Sequence, residues 1–221
     1  MPSYINPSET SAWQTIDASR PALSIAFLNV DSGPGTSAQA GFSAQVNQTE
    51  AAGIAVYAYV STEFGTRSLA DDEAQVNAYA TFYGVHNILE DTASTDCSLV
   101  PTLYLPLYQY IHAHGGSVVM NPGTQTNECY MQAADVIQTF EGTYSDYVTG
   151  FSQPSWMADF PASRFYNVVH TTPNQADMEN AVTLSTQRHI GNIYVTDLTE
   201  PNPYDGVPSF WAAELQAVEA T

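Results

Sequence analysis

The sequence predicts a compact single-domain α/β fold, a (β/α)8 TIM-like barrel spanning residues 1–221. Three observations carry that expectation. Short apolar, β-favouring runs recur along the chain, most of them are followed by Gly, Asn, Asp or Ser and then by a segment of helical spacing, and no low-complexity linker divides the chain. Such alternation marks βα units, and this length is usually met as one domain.

In chain order the expected strands are residues 23–28 (LSIAFL), 54–60 (IAVYAYV), 87–90 (NILE), 117–120 (SVVM), 136–140 (VIQTF), 166–169 (YNVV) and 193–195 (IYV). Helical spacing falls between them at 41–52, 70–83, 103–114 and 175–189, with Asp71 and Asp72 early in the second, where a helix dipole favours negative charge. A closed barrel needs an eighth strand. It is expected as the sixth, near residues 147–157, where Pro154 and several Ser and Gly residues blur the pattern. An open doubly wound sheet would need none there.

Composition narrows the function. Four cationic residues, all arginine, stand against 23 Asp and Glu, for a net charge of -19. Such a surface repels phosphate backbones and anionic lipid, so neither nucleic acid nor a membrane is an expected partner; it attracts cationic ligands and also favours solubility. The apolar runs are too short to cross a bilayer. The opening MPSYINPSETSAW has neither the basic segment nor the apolar core of a secretion signal, so export is not legible there. Cys97 and Cys129 match no metal spacing and can form one disulfide in an oxidising compartment; Asn47-Gln48-Thr49 fits a glycosylation acceptor in a eukaryotic secretory host.

In a βα barrel the chemistry sits where strands end. Those positions hold Asn29 and Asp31, Tyr59 and Thr62, Glu90 and Asp91, Asn121, Glu141, His170 and Asp197. Singly, an Asp or Asn there is commonly a helix cap and a His a wall residue; together they form a polar, acidic rim. Glu90 and Asp91 are adjacent, and neighbours on a strand point to opposite faces, so only one of them faces the mouth. Two carboxylates from different strands can divide glycoside hydrolysis, one protonating the leaving oxygen, the other acting as nucleophile or base. Tyr57, Tyr59, Phe64, Tyr104, Tyr144, Trp156 and Trp211 are candidates for sugar platforms or core filling. DSGPG at 31–35 lacks the GK[ST] of a phosphate loop, and no zinc spacing or nucleophile elbow occurs, so no metal or cofactor is expected.

Several segments in order, LNVDSGPG, GIAVYAYVSTEFGTRSL, YATFYGVHNILEDTAS, VVMNPGT, ADVIQTFEGTYSDY, RFYNVVH and IYVTDLTEPNPYDGVPSFW, resemble the spherulin-4-like family, which includes fungal hydrolases of galactosaminogalactan. The resemblance implies a (β/α)8 barrel and endo-acting cleavage of a galactosamine-containing polysaccharide, outside the cell or at a cell or virion surface. Its active-site carboxylates fall on Asp91 and on Glu141 of FEG. The family's Glu after that Asp falls on Thr92, and Glu90 stands where the family more often has an apolar residue. Expected roles are Glu141 as general acid and Asp91 as nucleophile or charge stabiliser. Where an N-acetyl group lies beside the cleaved bond it can itself be the nucleophile, with Asp91 orienting it. Asn29, Asp31, Tyr59, Thr62, Arg67, Glu90, Asn121, His170, Asp197 and Trp211 are expected to contact the sugar. The alternative is a non-catalytic carbohydrate-binding protein on the same scaffold, for example in a phage tail or cell-surface assembly. A purely structural barrel protein would bind no saccharide.

Overall fold

Eight parallel strands, hydrogen-bonded in chain order, curl into one sheet in the computed structural model, which describes residues 1–221. They are β1 (Pro2–Ser3), β2 (Ile25–Leu28), β3 (Ala55–Ser61), β4 (Asn87–Asp91), β5 (Val118–Met120), β6 (Val136–Thr143), β7 (Phe165–His170) and β8 (Asn192–Val195). Helices α1 (Thr10–Asp17), α2 (Phe42–Ala51), α3 (Leu69–Tyr83), α4 (Leu105–Ala113), α5 (Tyr144–Thr149), α6 (Gln175–Gln187) and α7 (Trp211–Glu219) follow in turn, and the β5 to β6 crossing carries only a 3₁₀ turn at Glu128–Gln132. The ladders run from β1 to β8. At the seam between those two, the Tyr4 amide donates to the Tyr204 carbonyl at 3.0 Å.

The seven expected strands are present. The eighth is a correction: it is β1, at the start of the chain, and residues 147–157 instead hold the end of α5 and a 3₁₀ turn at Ser155–Asp159. Two residues are too few to show a period, while Met1 and Ser3 are buried and Pro2 and Ser3 pair with Phe27 and Leu28. One continuous cluster of buried apolar side chains fills the barrel interior and the layer between sheet and helices.

Local chemistry sets the βα junctions. Ser68 accepts from the Asp71 amide at 3.2 Å to start α3, which Gly84 ends at φ 75°. Thr143 and Asn174 accept from the Asp146 and Asp177 amides at 3.1 Å to start α5 and α6. Only glycine adopts the left-handed backbone after α3 without strain.

A disulfide joins Cys97, in the segment after β4, to Cys129, in the segment after β5. The same two segments are tied by Asn127 Nδ2 to the Thr95 carbonyl and Tyr130 OH to the Asp96 carbonyl, both 2.9 Å. Closing a loop of 32 residues' separation stabilises by about 3–4 kcal/mol in the chain-entropy description. A Cys97→Ser, Cys129→Ser double variant is expected to melt about 10 °C lower in calorimetry; an unchanged Tm would mean that the neighbouring hydrogen bonds hold these loops without the bond.

Candidate active site

Strand ends gather the site. Asp91 is the last residue of β4, Asn121 follows β5 directly, and Glu141 lies in β6. Asn121 holds them together: its Nδ2 donates to Asp91 Oδ1 at 2.7 Å and to Glu141 Oε2 at 2.9 Å. Its own Oδ1 accepts from the Gly123 amide at 2.7 Å, which fixes the side-chain orientation.

Glu141 faces the interior because β6 is irregular. Against β7, Gln138 pairs with Tyr166 but Phe140 with Asn167, so Thr139 is an extra residue. In a regular strand Gln138 and Glu141, three apart, would point to opposite faces; the bulge puts both on the inner one. Gln138 Nε2 then donates to Glu141 Oε2 at 2.7 Å. Tyr204, in the segment after β8, donates its hydroxyl to Glu141 Oε1. Phe140 turns outward onto Tyr147 and Phe151, with ring centroids 4.9 and 5.4 Å away.

These groups lie in an open cleft of about 260 Å³ bounded by Tyr4, Asn29, Tyr59, Phe64, Thr92 and Tyr204. Tyr4 packs edge-on against Tyr59 and Tyr204, at 6.1 and 5.4 Å between centroids, so three rings form one wall. Phe64 is 63% exposed at the rim. It and Glu63 have left-handed φ values of 55° and 49°, as has Thr92 at 49°. The Phe64 amide donates to the Thr92 carbonyl at 2.7 Å, so the two unusual segments brace each other. No Arg or Lys lines the cleft.

Burial pushes the Asp91 carboxyl up to about 6, reinforced by the Glu141 charge and opposed by hydrogen bonds from Tyr59 and Asn121. Burial likewise raises the phenols of Tyr59 and Tyr204, helped by the nearby carboxylates, so both stay protonated donors.

Of the residues expected at the site, Asp91, Glu141, Asn29, Tyr59 and Asn121 line this cleft. The others lie elsewhere. Glu90 points to the opposite face of β4 and is completely enclosed, both oxygens without a partner; Asp72 and Asp135 reinforce the effect of burial in raising its pKa well above the usual carboxylate range. Thr62 is buried with its hydroxyl on Tyr104 OH (3.1 Å) and the Thr92 carbonyl (3.2 Å). Arg67 binds the Ser61 carbonyl and Glu63, each at 2.7 Å, and lies 3.9 Å from Asp72. Asp197 accepts from the Ser209 amide and hydroxyl. His170 Nδ1 meets Thr171 Oγ1 at 2.9 Å. Trp211 donates to Ser19 Oγ at 2.9 Å, beyond the end of α1. Asp31 is exposed in the loop after β2 and does not line the cleft.

Tyr4, Gln138 and Tyr204 were not anticipated. Tyr4 follows a strand too short to recognise, Gln138 enters through the bulge, and Tyr204 lies in NPYD, nine residues beyond β8. Thr92, at the position where the family resemblance has Glu, has its hydroxyl 2.7 Å from both the Asp91 carbonyl and Ser61 Oγ.

A family model described as Spherulation-specific family 4 matches residues 1–218. Spherulin-4 of Physarum polycephalum is 28% identical over 235 residues, covering 100% of this chain and 69% of that protein. Among solved structures, Aspergillus clavatus Sph3 in complex with GalNAc is similar with a TM-score of 0.83 and 19% identity, over 99% of this chain and 94% of that one. An active domain of a Pyrococcus furiosus chitinase, complexed with chito-oligosaccharides, has a TM-score of 0.59 and 12% identity over 97% of this chain and 90% of that chain.

Proposed function

From the premise that the chain belongs to the spherulation-specific family 4, we propose that it is a glycoside hydrolase acting on a galactosamine-containing polysaccharide. The observation that carries this reading is the pair Asp91 and Glu141, bridged by one Asn121 amide in an open, aromatic-walled cleft. GalNAc in the Aspergillus clavatus Sph3 complex and chito-oligosaccharides in the chitinase complex support an amino sugar as ligand. The disulfide supports an oxidising, extracellular or surface location.

Two oxygens that share one nitrogen can lie no farther apart than their two contacts end to end. For Asp91 Oδ1 and Glu141 Oε2 that limit lies beside the spacing of retaining carboxylate pairs, about 5–5.5 Å, rather than the inverting range of about 6.5–9.5 Å, which leaves room for a water. This closeness of the two inner oxygens supports a retaining reaction. The raised pKa of Asp91, which keeps its proton in mildly acidic solution, supports Asp91 as the group that protonates the leaving oxygen and Glu141 as the nucleophile at the anomeric carbon, the reverse of the roles the resemblance implies. Tyr204, Gln138 and Asn121 hold Glu141 in place with three donors. Leaving-group departure and Glu141 attack form a glycosyl ester, and Asp91, now ionised, deprotonates the water that cleaves it.

Purified protein is expected to release reducing ends from galactosaminogalactan, and proton NMR of the first products is expected to show the anomeric configuration of the substrate. Inverted products would overturn the assigned roles. No release from acetylated or deacetylated polymer, with polymer still retained, would favour a second reading, a carbohydrate-binding protein. Thr92 in place of a carboxylate is the observation on that side.

A further inference from the structure

A second cleft, of about 300 Å³, shares Gly123 and Glu141 with the first and continues toward α5. Its far side is made by two exposed loops that touch where Gln125 donates its side-chain amide to the Ser152 carbonyl. Phe140 and Phe151, 5.4 Å apart, supply apolar surface. The Phe151 ring is itself backed by the Arg188 guanidinium at 5.5 Å and stacked on Tyr147 at 5.5 Å. Asp146 also lines this cleft, exposed, with one carboxylate oxygen accepting from Thr143 Oγ1 at 2.7 Å. No cation lines this cleft either. Arg188 is occupied at the Tyr147 carbonyl, 2.7 Å away.

We propose that this cleft is a second sugar subsite, binding the residue of the chain next to the cleaved bond and selecting an unacetylated, cationic amino sugar through Asp146. The inference rests on the hydrolase reading for its register relative to the cleaved bond. Sugar rings have apolar faces and polar edges, so a site for one needs aromatic surface beside hydrogen-bonding walls, and this cleft has both. An ammonium on the ring meets a carboxylate with no competing arginine, whereas an acetamide carries no charge to pair with it. Because Glu141 borders both clefts, a sugar held in the second lies beside the proposed catalytic carboxylate.

The test measures binding of galactosamine oligosaccharides of two to eight residues, fully acetylated or fully deacetylated, in a Glu141→Gln background where they survive. Hydrolysis by the wild type is measured in parallel. Ser152→Trp fills the cleft from an exposed loop and is expected to reduce the affinity ratio of tetramer to dimer about tenfold. Asp146→Asn keeps the backbone amide that caps α5 and is expected to lower the preference for deacetylated over acetylated tetramer about three- to fivefold at low salt. Unmoved ratios in both variants overturn the subsite, and hydrolysis by the wild type would then leave the enzyme reading standing. Shifted ratios without any hydrolysis would keep the subsite and overturn the hydrolase. Neither binding nor hydrolysis overturns both.

Discussion

Glu141→Gln is expected to lower turnover about a thousandfold with the far-ultraviolet circular dichroism spectrum unchanged. The side chain reaches the cleft surface and has the same shape as glutamine, so the fold does not depend on its charge, while the attacking oxygen is lost. Asp91→Asn is expected to lose a similar factor, because Asn121 and Tyr59 would then surround a group that cannot donate an acidic proton. The pH profile separates the two roles. A proton donor with a pKa of about 6 is active below that value, so the rate should fall as pH rises through about 6. Were Asp91 the nucleophile, the rate would rise through the same point. A rising limb near pH 6 that Asp91→Asn abolishes would exchange the roles of Asp91 and Glu141.

The second large effect is on stability. Asp72 and Asp91 are both raised to about 6 in the folded protein, chiefly by burial. A carboxyl with a raised folded pKa keeps its proton after the unfolded chain has released it, so stability falls as pH rises from the unfolded value through the folded one. Each shift of about two units corresponds to about 2–3 kcal/mol. The melting temperature is therefore expected to drop between pH 4 and pH 6. Above that, Glu214, raised to about 8 by burial, continues the loss.

Glu90 is the extreme member of this group. It is completely buried, and neither its oxygens nor those of Asp72 have a hydrogen-bond partner. Arg67 Nε, 3.9 Å from Asp72 Oδ1, is the nearest relief. Replacing an uncompensated buried carboxyl by an apolar side chain of similar size often stabilises, so Glu90→Leu is expected to gain about 1–3 kcal/mol at pH 8. The gain should shrink toward pH 4, where the wild-type carboxyl is protonated. Thermal melts of both proteins across that range decide it: a Glu90→Leu protein less stable than wild type at pH 8 would mean that the carboxylate has a compensating role.

The barrel and much of its cleft follow from local pattern. Apolar runs such as IAVYAYV and NILE are legible because β-branched and aromatic residues suit a pleated, buried surface, and each is closed by turn chemistry. The convergence of Asp91, Asn121 and Glu141 was legible for the same reason, since each sits at or beside the end of such a run. β1 was not, because Pro2 and Ser3 become a strand only by pairing with Phe27 and Leu28. Residues 147–157 carry no strand because Pro154 and the Ser and Gly residues around it favour a turn, and the chain there forms the end of α5 and the 3₁₀ turn at Ser155–Asp159.

By itself the sequence determined the alternation of strand and helix, the acidic balance and the presence of one carboxylate at the end of each of two strands. The resemblance pointed to Asp91, but the physical reason that it and not Glu90 serves the cleft lies in the tertiary structure. Period-two alternation makes Glu90 and Asp91 face opposite ways, but which way depends on the neighbouring strands, β3 and β5, that set the pleat of β4. Likewise Glu141 turns inward only because Thr139 bulges against β7, 28 residues away from its hydroxyl's partner Asn167. Tyr204 reaches Glu141 across 63 residues of chain. Such placements come from pairing between distant segments, where burial and hydrogen-bond satisfaction are settled in space and leave no periodic trace along the chain.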